Sequence, residues 1–225
     1  MRSRVWMCFG AGLVLLGMAG LMMGCGSSSA KIRLVNATPD QSSLNLLVDS
    51  KSVATVSYGT ASGYNSISSG SRHLQVEPSG SSTPLIDTTQ TVSSGTNLTL
   101  ISLNYSFNIS SALLTDDNSA PSSGNFKLRI INASPGLSAQ DVYVEAPNTN
   151  IISVSPTFSN LAFGAASSYS TLAPGSYEVY FTSPGQKFVN LDSGALAFTA
   201  GQIRTLVALN SQSGGFTSAV LADLN

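Results

Sequence analysis

Lys31-Ile32-Arg33-Leu34-Val35-Asn36-Ala37-Thr38-Pro39 returns in the second half of the chain as Lys127-Leu128-Arg129-Ile130-Ile131-Asn132-Ala133-Ser134-Pro135, nine side chains of the same classes in the same order. Apolar and basic residues alternate at the start of both. Ile32 and Leu34 (Leu128 and Ile130) therefore fall on one face of an extended strand, and Lys31 and Arg33 (Lys127 and Arg129) on the other. Asn-Ala-Thr/Ser-Pro ends each strand, because proline cannot donate to a ladder and an Asn or Ser side chain can close a turn.

Later landmarks keep the same register, with a small insertion in the second copy. Tyr58-Gly59 and Tyr64 match Phe163-Gly164 and Tyr169; Ser69-Gly70-Ser71 matches Pro174-Gly175-Ser176; Gly95 matches Gly201; Leu114-Thr115-Asp116 matches Leu221-Ala222-Asp223. Each copy, at about 95 residues, is large enough for one core, which predicts tandem domains rather than a solenoid. Further period-two runs centre on Leu46–Asp49, Tyr64–Ile67, Leu74–Val76, Leu98–Leu103 and Ala112–Leu114. Their partners are Val142–Glu145, Tyr169–Leu172, Val179–Phe181, Ile203–Leu209 and Ala219–Leu221. About seven short strands per copy, separated by Gly and Pro turns and without a helical period, predict an all-β chain. The predicted architecture is two tandem immunoglobulin-like antiparallel β-sandwich domains, over 31–117 and 126–225, joined by a linker at 118–125.

The N-terminus sets a location. Arg2 and Arg4 lead into an uncharged apolar segment, Val5 to Met23, that ends in Leu21-Met22-Met23-Gly24-Cys25. This resembles a bacterial lipoprotein signal peptide with its lipobox, with Met22 in the position usually held by Leu. It implies cleavage after residue 24, acyl chains on Cys25 and a short tether over 25–30. An uncleaved transmembrane helix is the competing reading, since roughly nineteen apolar residues can span a bilayer. Gly10, Gly12, Gly17 and Gly20 weaken such a helix, and the small Gly24 suits a signal peptidase. Gly26 lacks the aspartate that signals inner-membrane retention in many lipoproteins, so the outer membrane is favoured in a Gram-negative source, and otherwise the cell surface.

Composition agrees with export. Cys8 leaves with the signal peptide and Cys25 carries lipid, so the mature chain has no cysteine pair for a disulfide. Loss of Arg2 and Arg4 leaves 8 basic against 11 acidic residues, a net charge of −3, and no basic patch for nucleic acid or an anionic bilayer. With charged residues at only 9 %, the polar surface is supplied by Ser, Thr, Asn and Gly.

Several stretches resemble the domain-of-unknown-function family 4397. They are Leu128 to Pro135, Gln140-Asp141-Val142-Tyr143-Val144, Leu161-Ala162-Phe163-Gly164, Tyr169, Leu172-Ala173-Pro174-Gly175-Ser176-Tyr177-Glu178-Val179 and Leu221-Ala222-Asp223. The second copy matches along nearly its whole length; the first is degenerate, with Leu46-Leu47-Val48 for Asp-Val-Tyr-Val and Ser69 for the turn proline. The resemblance implies a secreted or surface-attached bacterial β domain, often in tandem, with no catalytic residues to carry over.

Candidate functional residues are few. His73 is the only histidine, which leaves a histidine-based triad one base and makes a zinc site improbable. Its repeat partner is Glu178, and alternation puts it on the solvent face of a strand. Asp116-Asp117-Asn118 forms an oxygen-rich cluster at the domain junction, a weak calcium candidate, against the reading in which Asp116 and Asp223 simply close their last strands. Tyr105 and Phe107 sit in a hairpin near the end of the first copy, where aromatic tips can stack on sugars or partner proteins or cover an edge. Asn-x-Ser/Thr triplets begin at Asn36, Asn97, Asn104, Asn108 and Asn132; beside a bacterial lipobox they read as incidental. The expectation is a non-enzymatic, lipid-anchored envelope protein without cofactor, serving binding, adhesion or envelope organisation, its partners the membrane through Cys25 and an envelope protein or a glycan. A carbohydrate-binding or carbohydrate-processing surface protein and a subunit of an envelope complex are the alternatives.

Overall fold

A computed structural model of the protein describes residues 28–223; the signal-peptide segment and Cys25 lie outside them. Among the described residues no helix is long and apolar enough to cross a membrane, and the only helical segments are single 3-10 turns at Ser106–Asn108 and Ile151–Ser153.

The first repeat runs β1 (Ser29–Ala37), β2 (Ser43–Val48), β3 (Lys51–Ser57), β4 (Asn65–Ser68), β5 (Gly70–Pro78), β6 (Ile86–Val92), β7 (Asn97–Leu103) and β8 (Ser110–Thr115). The second runs β9 (Phe126–Asn132), β10 (Gln140–Glu145), β11 (Phe158–Leu161), β12 (Ser170–Leu172), β13 (Gly175–Thr182), β14 (Val189–Asp192), β15 (Leu196–Phe198), β16 (Ile203–Asn210) and β17 (Phe216–Ala222). Each repeat is a sandwich of two sheets. The orders are β4-β1-β7-β8 over β3-β2-β5-β6, and β12-β9-β16-β17 over β11-β10-β13-β14 with β15 added to β13.

The pairing is antiparallel with one exception in each repeat. β1 runs parallel to β7, with Leu34 opposite Leu100, and β9 runs parallel to β16, with Ile130 opposite Leu206. The opening strand is thus flanked by a strand that returns only after the chain has built the other sheet, a crossover that a hairpin cannot make.

The period-two pattern does what it predicts on its apolar face. Ile32, Leu34, Leu98 and Leu100 pack against Leu44, Leu46, Leu74 and Val76 inside the first sandwich. Leu128, Ile130 and Leu206 pack with Phe126, Val142, Val179 and Phe181 inside the second. Fully burying each such side chain contributes roughly 1.5–3 kcal/mol. The turn after each opening strand is closed by its asparagine. Asn36, fully buried, donates from Nδ2 to Gln41 O at 2.9 Å and accepts from Thr38 N at 3.1 Å; Asn132 Nδ2 donates to Ser138 O at 2.8 Å.

The other face of β1 and β9 is also buried, and against the opposite repeat. Val35, Ala37, Ile101 and Leu103 of the first repeat form one apolar cluster with Ile131, Ala133, Val207, Leu209 and Leu221 of the second. Among the described residues there is thus one apolar layer in each sandwich and one between them, with a smaller cluster of Tyr143, Ile151 and Tyr180 in the second repeat. The junction at 118–125 crosses at one end, and its residues are exposed or half-buried.

Candidate functional site at the interface between the repeats

Arg33 and Arg129 project from the middle of their strands into this shared layer. Arg33 Nη2 donates to Asp223 Oδ1 of the second repeat at 2.6 Å, and Arg129 Nη2 lies 2.8 Å from Asp116 Oδ1 of the first. Each pair crosses between the repeats, and one is the image of the other. Thr99 links Arg33 to Asp116, accepting from Arg33 Nε at 2.8 Å and donating to Asp116 Oδ2 at 2.6 Å. Thr205 links Arg129 to Asp223 in the same way, at 3.2 and 2.9 Å.

Arg33, Thr99, Asp116, Arg129, Thr205 and Asp223 thus close a ring through the interface, every member 6 % exposed or less. Tyr64 and Tyr169 cap it. Each phenol donates to the carboxylate of its own repeat at 2.6 Å, to Asp116 and Asp223 respectively, and each ring lies under an arginine at 4.7 and 4.8 Å. Burial pushes both phenols well above their ordinary value, with Arg33 and Arg129 opposing. Burial also disfavours the Arg33 charge, but Asp223, Tyr64 and Asp116 outweigh it and raise the guanidinium.

Chemically the ring is a lock. Its carboxylates face guanidinium groups, hydroxyls and phenols, and all six members of the ring are buried. Asp117, next to the ring, accepts from Lys127 Nζ at 2.6 Å and from Ser119 Oγ at 2.5 Å, which holds its carboxyl down at about 2. The junction cluster named as a calcium candidate is thus drawn apart: Asp116 faces Arg129 and Asp117 faces Lys127. Among the described residues no group of three or more His, Cys, Asp or Glu side chains is placed to hold a metal ion. Asp116 and Asp223 do also close their strands, through Asp116 N to Asn97 O and Asp223 N to Ile203 O. His73 lies on the outer face of β5, half-exposed, with Nε2 2.6 Å from Asp87 Oδ1.

Pseudo-twofold symmetry extends along the interface. Gly59 and Gly164 take positive φ, +71° and +77°, and a Cβ there would meet Leu209 and Leu103 of the opposite repeat at 3.4 and 3.2 Å. Clefts of about 420 and 430 Å³ flank the lock. One is lined by Leu114, Arg129 and Tyr169, the other by Ala61 and Leu221.

At the far end of the strands the symmetry fails. Tyr58, where the second repeat has Phe163, donates to Asn210 O at 2.6 Å, and Asn210 Nδ2 donates to Tyr105 OH at 3.1 Å. Burial, with the neighbouring Tyr105, pushes the Tyr58 phenol up to about 12. Phe107 stacks on Tyr105 with ring centres 5.8 Å apart and planes within 15°, and it is 86 % exposed. Asp40 receives the backbone N–H of Ser106 and Asn104 takes φ +69°, so the turn bearing the two rings is held from both sides. A cleft of about 360 Å³ opens between Tyr58, which shares Asn210 with Tyr105, and the hairpin of β16 and β17. Sequence reasoning singled out Tyr105 and Phe107. It missed Tyr58, Asn210, Arg33 and Arg129 as interface residues, although the repeat alignment carried the signal by pairing Asp116 with Asp223 and Tyr64 with Tyr169.

Fold and interface define a pair of β-sandwich domains fused face to face by a buried, reciprocal ion-pair ring. The chain belongs to the family described as "Domain of unknown function (DUF4397)", which matches it twice, over residues 30–143 and 127–225. No curated protein matches it. Among solved structures it is similar to "CBMbc (family CBM26) from Eubacterium rectale Amy13K in Complex with Maltoheptaose", with 9 % identity over 88 % of this chain and 98 % of that one. The TM-score of that likeness is 0.27, too low to carry an argument.

Proposed function

We propose that this chain is a lipid-anchored, non-enzymatic protein of the bacterial cell envelope that presents a binding surface away from the membrane. The observation that carries the reading is the common direction of the two repeats. Register sets Ser29 opposite Ser68, Lys31 opposite Asn97 and Leu98 opposite Thr115, so the start of β1 and the junction share one end, with the ion-pair ring at the level of the middle of β1 and β9. Tyr58, Tyr105 and Phe107 occupy the other. Only three residues separate Cys25 from β1, so a lipid on that cysteine would lie against the first end. The nine residues of β1 would then hold the aromatic end about 30 Å further out.

A non-enzymatic role is supported by the state of the acidic groups at the interface and of the one beside His73. Asp116 and Asp223 are consumed in the lock, and Asp117 and Asp87 are each paired with a basic side chain. The test is the intact mass of the membrane-extracted protein: loss of residues 1–24 and added acyl mass, both abolished by Cys25→Ser. An unprocessed N-terminus in the wild type would replace the lipid anchor with a transmembrane one. A pull-down with the anchored protein addresses the envelope-complex alternative, because a stoichiometric envelope partner would be retained through the outer end.

A further inference from the structure

The outer end differs from the lock in a way that specifies a ligand. The lock repeats itself across the pseudo-twofold, but the two turns above it do not. The first repeat places Asn104-Tyr105-Ser106-Phe107-Asn108 after β7, whereas the second places Ser211-Gln212-Ser213-Gly214-Gly215 after β16. One turn therefore supplies aromatic faces and the other hydroxyl and amide groups, and Asn210 ties them together by bonding both Tyr58 and Tyr105.

The cleft between Tyr58 and the second of these turns is lined by Tyr58, Ser211, Gln212, Ser213, Thr217 and Ser218, and no charged side chain contributes to it. Hydroxyl and carboxamide groups both donate and accept, as the hydroxyls of a neutral sugar require. A phosphate, a uronic acid or a nucleic acid would call for Lys or Arg, and the cleft offers none. Its volume of about 360 Å³ falls within the range of clefts that take small ligands. Phe107 gives an almost fully exposed flat ring, already braced by Tyr105, against which the apolar face of a pyranose can lie at little ordering cost.

We propose that the cleft between Tyr58 and the β16–β17 hairpin, together with the Tyr105–Phe107 ridge, is a binding site for a neutral oligosaccharide. This deepens the reading of the chain as a binding protein and does not depend on how the chain is anchored. Sugar hydroxyls meet Gln212 and the serines in the cleft, and a neighbouring ring of the same chain stacks on Phe107.

The mature, membrane-extracted protein is run through native gels containing laminarin, soluble starch, arabinoxylan or galactomannan, with polygalacturonate as the charged control. Retardation by at least one neutral polymer is expected. Phe107→Ala should weaken it about tenfold or more, as loss of an aromatic anchor does. Gln212→Ala should weaken it too, and Phe188→Ala, which removes an 80 % exposed ring in the loop between β13 and β14, outside the cleft lining, should leave it unchanged. Phe107 and Gln212 can be truncated without touching either core, and an unaltered melting temperature verifies this. Three results overturn the proposal: no retardation by any neutral polymer, retardation by polygalacturonate alone, or equal retardation of wild type and Phe107→Ala. A Phe107-dependent protein partner captured without polysaccharide retardation would also count against it. Failure of lipidation would appear in the mass of the same preparation and leave the retardation intact.

Discussion

Replacing Arg33 by Met tests the lock at one atom group while keeping most of the buried stem. The side chain is 1 % exposed and its partner carboxylate 0 %. The substitution removes the donors to Asp223 Oδ1, Ala222 O and Thr99 Oγ1, and the cation over Tyr64. It also leaves Asp223 as a buried carboxylate with only hydroxyl partners, Thr205 and Tyr169. Breaking a buried pair by removing one partner costs about 3–5 kcal/mol, most of it the uncompensated charge. For a folded body of this size each kcal/mol lowers the melting temperature by about 2–4 °C, so the expected shift is roughly 6–20 °C. Scanning calorimetry of the mature chain is the assay, with urea unfolding followed by circular dichroism as a second probe. Arg129→Met should cost a similar amount, because Arg129 faces Asp116 as Arg33 faces Asp223. Both variants should loosen the two repeats together, since each arginine bridges them. A shift under about 0.5 kcal/mol, the scale of an ordinary surface substitution, would refute the lock. So would a shift confined to the unfolding of the mutated repeat alone.

Three further outcomes follow from the interface. Gly164→Val forces a β-branched residue to φ +77° with its Cβ 3.2 Å from Leu103, so it should lower stability by about 1–3 kcal/mol in thermal melts; an unchanged melting temperature would remove the structural meaning of that repeat landmark. Hydrogen bonds from Lys127 and Ser119 hold the Asp117 carboxyl at about 2, below its ordinary 3.8. Its contribution is therefore present above pH 4 and lost as pH falls towards 2, and the small stability gap between wild type and Asp117→Asn should close over that window. Residues 126–225 alone would expose Ile131, Val207, Leu209 and Leu221 and should pair with a second copy, Arg129 meeting Asp223 across the new twofold; a monodisperse monomer in sedimentation would contradict this.

Much of each sandwich was legible because its signals are local. Alternation placed Ile32, Leu34, Leu128 and Ile130 in the cores, the Asn-Ala-Thr/Ser-Pro turns are closed by their asparagines, and Gly59 and Gly164 take the positive φ that a turn glycine permits. The edge strands β4, β8, β12 and β17 were legible, but β3 and β6 were not. β3 and β6 are Lys-Ser-Val-Ala-Thr-Val-Ser and Ile-Asp-Thr-Thr-Gln-Thr-Val, largely polar sequences held in place by a buried neighbour rather than by a pattern of their own. The hairpin between β2 and β3 turns on Asp49 and Ser50 at φ +49° and +65°, a two-residue turn without the glycine that usually announces one. The direction of β1 relative to β7 was hidden for a different reason. Register across a crossover depends on what the intervening strands build, and no local residue encodes it.

The deeper omission concerns the second face of the opening strands. Period-two alternation states that Arg33 and Arg129 face away from the sandwich core; it does not state what lies opposite them. In a single domain that face would be solvent, and an arginine there would need no explanation. In a duplicated chain the same face exists twice with the same chemistry, an arginine and a strand-closing aspartate on each copy, so the face is complementary to its own image about a twofold axis. The repeat therefore contains the interface as well as the fold, but only when Arg33 is read against Asp223 rather than against the Asp116 of its own copy. The same logic separates the two ends of the molecule. Where the repeats must meet, their side chains are copies of one another, down to Tyr64 and Tyr169; where they are free of that requirement, the turn that carries Tyr105 and Phe107 in one repeat carries Gln212 and Ser213 in the other. Packing accounts for the copied end, and it places no demand for an exposed phenylalanine on the other.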